Sequence, residues 1–102
     1  MYSIVLSTVN NDKTANEIAR VLIENRLAAC VNIVPKITSI YLWEGKIAKD
    51  SEILLIIKTK TKLYKKLEEK IKQLHPYKVP EIVSFKVQNG SCDYLNWINE
   101  TV

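Results

Sequence analysis

The residues best equipped for chemistry lie in one short stretch, His75-Pro76-Tyr77-Lys78-Val79-Pro80-Glu81. It holds the chain's only histidine, with a phenol, an amine and a carboxylate close by. Pro76 and Pro80 each fix φ, remove an amide donor and push the preceding residue toward extended geometry. The stretch is therefore a stiff bridge and not a helix. A rigid loop of this composition is where a small domain keeps a binding site. A proline after a helix is also ordinary punctuation, so the loop alone decides nothing.

Other chemistries find little support. Neither of the two glycines belongs to a phosphate-cradling pattern, and no CxxC or HExxH occurs. His75 with Cys30 or Cys92 is the one available Cys–His combination, and Ser3 and Ser7 have no base in their sequence context. The chain reads as a non-enzyme. Thiol and imidazole suit Cu or Zn. A closed site takes about four ligands, so a metal site here would have to be shared between chains. Cys30 follows Ala28-Ala29 in an extended segment and reads as core, whereas Cys92 opens a helix and could be reactive. The lysines from Lys58 to Lys72 are interrupted by Glu68 and Glu69 and read as a solvated helix face. A nucleic-acid partner is not expected, because aliphatic residues stand where base-stacking aromatics would be.

The elements that must position these residues follow from hydrophobic period. Tyr2–Val9 alternates and is rich in β-branched types, a strand. Ala15, Ile18, Ala19, Leu22 and Ile23 recur at helical spacing, predicting a helix of about 14 residues that ends near Asn25 or Arg26. Residues 28 to 43 are extended, with Pro35 marking a bulge, bend or edge. Glu44-Gly45 predicts a tight turn into a partner strand that runs to Thr59. Thr61 is a candidate cap for a second helix along Leu63, Leu67, Ile71 and Leu74. Residues 82 to 87 form a fourth strand, and Ser91 caps a last helix. The order β-α-β-β-α-β plus a terminal helix predicts an α+β, ferredoxin-like fold: an antiparallel sheet with helices on one face, as a single domain over residues 1–102.

One strand breaks the pattern expected of such a sheet. Ile53, Leu55 and Ile57 point one way, and Leu54 and Ile56 the other, so both sides are apolar. Two helices cover one side. Leaving about four large side chains wet on the second forfeits roughly 6–12 kcal/mol of burial, comparable to a small domain's whole stability. Self-association is the expected solution, and the terminal helix folding over that face is the alternative. The net charge of +4 demands no polyanionic partner. No apolar run reaches the ~18 residues of a membrane span, and Ile4-Val5-Leu6 is too short for a signal peptide. Two cysteines are too few for a disulfide framework, so reduced thiols and a cytoplasmic location are expected.

The ordered set Leu27-Ala28-Ala29-Cys30-Val31-Asn32, Tyr41-Leu42-Trp43-Glu44-Gly45, Glu52 with Ile56-Ile57-Lys58, His75-Pro76-Tyr77 with Pro80-Glu81, and Gly90 with Tyr94-Leu95-Trp97 resembles the CutA divalent-cation tolerance family over nearly the whole chain. The resemblance implies a homotrimer similar in architecture to PII signalling proteins, with long hairpin arms between subunits. It implies response to divalent metal ions and possible binding of Cu2+ or another divalent cation, with His75 as the surviving metal-ligand position. Members associated with copper carry a Cys late in strand one and two successive His before the Pro, where this chain has Ser7, Leu74 and His75. It further implies that Tyr41, Trp43, Glu52, Lys58, Tyr77 and Glu81 line an inter-subunit cleft for a small ligand or ion. For Trp43 and Tyr77 the alternative is a purely interface role.

Overall fold

Alternation along the first strand sets the sheet. The computed structural model describes all 102 residues. Its elements are β1 (Tyr2–Val9), α1 (Asp12–Glu24), β2 (Cys30–Trp43), β3 (Lys46–Lys60), α2 (Tyr64–Leu74), β4 (Ile82–Lys86) and α3 (Cys92–Thr101). Strand order is β2-β3-β1-β4, every pair antiparallel, which is the split β-α-β arrangement the sequence predicts.

Val5 and Val9 of β1 meet Ile57 and Ile53 of β3 on one face, and these join Leu55, Ala15, Ile18, Leu22, Leu67 and Ile71 in the core under α1 and α2. The opposite face is not symmetrical with it. There Ile4, Leu6, Leu54 and Ile56 are only half-buried, and Val83 and Phe85 of β4 are 46% and 55% exposed. The terminal helix α3 packs against β3 and buries Ile98. Its Tyr94 comes beside Cys30, which pairs with Lys58 at one end of the sheet. That helix therefore covers one end of the second face and leaves its centre and its β4 edge open.

Local chemistry explains the boundaries. Asn11 accepts from the Thr14 amide (2.8 Å) and caps α1. The helix closes with Asn25 as its cap. Beyond it the Leu27 amide reaches Leu22 O (2.9 Å) and the Arg26 amide reaches Ile23 O (3.1 Å), with Arg26 at φ 57. This is a Schellman closure with arginine where glycine is usual. Pro35 sits in a bulge between Val34 and Ile37, and Lys36 takes φ 58 to accommodate it. Glu44 and Gly45 both have positive φ (51 and 78) and join Trp43 to Lys46, as a two-residue hairpin turn requires. With 14 and 15 residues, β2 and β3 form a ribbon far longer than the usual strand, and the molecule measures 44 × 26 × 23 Å.

Two expectations need correction. Thr61 does not cap α2. It begins a 3-10 turn, and its hydroxyl pairs with Ser3 Oγ (2.7 Å), because β3 runs on to Lys60 and carries Thr61 beside β1. β4 is one residue shorter than predicted, although the Val87 amide still donates to Tyr2 O (2.9 Å).

Candidate functional site

The proline loop and the base of the β2–β3 ribbon meet over the end of β1. His75 is the C-cap of α2: its amide closes the helix on Ile71 O (2.8 Å), and Pro76 holds it extended at ψ 133. Its ring is buried. Nδ1 accepts from the Tyr77 amide (3.1 Å), so the proton sits on Nε2, which donates to the Thr8 carbonyl (2.7 Å). β4 pairs with β1 only as far as Ser7, and His75 supplies the next contact along that edge. The histidine is a clamp that fixes the loop to the sheet.

The clamp aims Tyr77. Its ring lies 4.7 Å from that of His75, and its hydroxyl donates to Glu52 Oε2 (2.8 Å). Two residues earlier on β3, and so on the same side of the strand, Asp50 accepts from the hydroxyl of Tyr41. Burial and then the Glu52 carboxylate raise the Tyr77 phenol far above its ordinary range, and the bond to Asp50 raises that of Tyr41. Between these pairs lies a cleft of about 750 Å³, whose wall includes Trp43, Ser39, Lys78 and Glu81.

Tyr41, Trp43, Glu52, Tyr77 and Glu81 are thus brought together within one chain. Lys58 is not among them. It lies six positions further along β3, roughly 20 Å away, where it bonds Asn32. Asp50 and Ser39 are additions that the sequence reading missed, and Lys78, which it singles out in the loop, joins them in the cleft wall. Asp50 was findable, since i and i−2 of a strand share a side. The pairing of Tyr77 with Glu52 spans 25 residues and had no local signal.

The structure holds no group of three or more His, Cys, Asp or Glu side chains that could ligate an ion. Cys30 and Cys92 are free thiols, and both nitrogens of His75 are committed to hydrogen bonds. A Cys–His copper site does not fit the residues of one chain in this arrangement. Two of the cleft carboxylates, Asp50 and Glu52, already take a tyrosine hydroxyl, and they offer oxygen ligands only.

The family described as CutA1 divalent ion tolerance protein matches residues 3–101. The chain is 51% identical over 100 residues to the divalent-cation tolerance protein CutA of Thermus thermophilus, spanning 98% of this chain and 97% of that protein. It is 50% identical over 93 residues to the mouse protein CutA, where it spans 91% of this chain but 52% of the relative's length. The solved Thermus structure superimposes with a TM-score of 0.96 at 50% identity, covering 99% and 98% of the two chains. The expected cytoplasmic location is not a property of this group. An Arabidopsis thaliana relative, 44% identical over 98 residues (96% of this chain, 54% of its own length), is named chloroplastic. A structural neighbour from Archaeoglobus fulgidus is named periplasmic (TM-score 0.96, 37% identity, 99% and 98% coverage). Two unbonded thiols are compatible with any of these compartments, which is why their number misled. No helix is long and apolar enough to cross a membrane.

Proposed function

The chain belongs to the CutA1 divalent ion tolerance family, and from that premise we propose that it serves divalent-cation tolerance as a self-assembling homotrimer and not as a catalyst. The observation that carries this reading is the second sheet face. Phe85 and Val83 stand open next to half-buried Ile4 and Leu6 of β1, with half-buried Leu54 and Ile56 of β3 beyond them on the same face. A continuous apolar surface of this kind is stabilised by contact with further copies. The long ribbon gives each copy an arm with which to hold a neighbour.

A bacterial strain without its own family member tests the proposal. Expression of this chain should restore growth under Cu2+ or Zn2+ challenge, and the Phe85→Asp variant, which disrupts the open face but not the core, should not. Equal growth with both variants would contradict it. A second reading, small-ligand sensing, is favoured by the size of the cleft, which far exceeds what a bare ion needs.

A further inference from the structure

Glu52 is a buried carboxylate without a counter-charge. It is 8% exposed, and its one side-chain partner is the neutral hydroxyl of Tyr77. The only ion pair in the chain is Lys72 with Glu68, far from it on the surface of α2. A buried charge is costly unless paired. The surroundings make the imbalance larger. The cleft wall holds three carboxylates, Asp50, Glu52 and Glu81, against the single Lys78, although the chain as a whole is net positive. Tyr41, Trp43 and Tyr77 line the same space, and the faces of such rings attract cations.

We infer that the cleft takes an ammonium or guanidinium group, seated against Glu52 and Asp50 and flanked by the rings of Tyr41, Trp43 and Tyr77. This deepens the small-ligand reading of the cleft and rests on it. The two tyrosine hydroxyls each use one carboxylate oxygen, which fixes the acids in place and leaves further lone pairs for N–H donors. An inorganic ion of the Mg2+ or Ca2+ type wants about six oxygens in a tight shell. A cleft of about 750 Å³ that sets aromatic rings beside its carboxylates suits an organic cation better. The same group arrives either on a free small amine or on a lysine or arginine of a second copy, and the test separates these sources.

Calorimetry on the assembled protein with putrescine, agmatine, Mg2+, Cu2+ and ATP is the experiment. It is read alongside the fluorescence of Trp43 in a Trp97→Phe background, which leaves Trp43 as the sole indole. Putrescine or agmatine should bind and perturb Trp43. Glu52→Gln, which keeps a hydrogen-bond acceptor for Tyr77, should weaken binding about tenfold or more. Asp50→Asn should weaken it without disturbing the buried Glu52, so a folding defect in one variant does not decide the matter. If no probe binds but Glu52→Gln dissociates the assembly, the cation is a side chain of a second copy. Binding of ATP without the amines overturns the cation class but keeps the cleft as a ligand site. Binding of Mg2+ or Cu2+ alone, lost in Glu52→Gln, overturns the organic cation. Silence from every probe, with the assembly intact in both variants, overturns the cation inference and the ligand-site reading beneath it.

Discussion

Ser7 Oγ is the one buried side-chain polar atom without a hydrogen-bond partner, and it sits on the helix-covered face between Leu55 and Ile82. An unsatisfied buried hydroxyl costs about 1–3 kcal/mol. Ser7→Ala should therefore leave stability unchanged or raise it by up to about 1 kcal/mol, read as a higher urea midpoint; a clear loss would contradict an unpartnered hydroxyl at this site. His75 is the opposite case. His75→Ala strands the Thr8 carbonyl and frees the loop, so a loss of about 2–3 kcal/mol is expected in denaturant unfolding. The tyrosines supply a pH signature. The phenol of Tyr77 is raised in the folded protein by burial and Glu52, so its neutral form is the one the fold prefers. That preference is fully present below pH ~10 and is lost as pH rises from there toward the folded value. Tyr77→Phe should flatten the fall of thermal stability above pH ~10, measured by circular dichroism against the parent chain.

Strands, caps and turns follow rules that act over a few residues, and here the sequence was most legible. Alternation placed β1, Pro35 marked the bulge, and Glu44-Gly45 marked the hairpin. The hairpin is the sharper test of local physics. A Cβ on Gly45 would meet nothing within 4 Å, so Gly45→Ala isolates the cost of φ 78. A loss of roughly 1–2 kcal/mol is expected in urea unfolding, with Gly45→Asn losing less, because asparagine tolerates this region. Arg26 and Thr61 were not legible. Arginine gives no hint of a left-handed closure. The closure follows from Leu27 returning to bury beside Leu22, a contact made only when the core assembles. Thr61 looked like a cap and was drawn to Ser3, 58 residues away, by strand pairing. The cleft was partly legible for the same reason. Its members were identifiable as types, but the pairing of Tyr77 with Glu52 depends on how the His75 clamp sets the loop over β3.

At the scale of the molecule, the ribbon and the open face raise one issue. β3 is apolar on both sides, and helices α1 and α2 shelter only one of them. The proposed contact between copies would resolve this, and it would place the cleft at the base of the ribbon within reach of a neighbour. The shape of the chain, 44 Å in its long direction with an extended hairpin, fits that role better than the role of a lone globule. Sedimentation equilibrium of the unmodified chain at micromolar concentration tests the account most directly. The account predicts a single species of three times 11.7 kDa that persists on dilution. A species of 11.7 kDa alone, with Phe85 and Val83 in water, would contradict it.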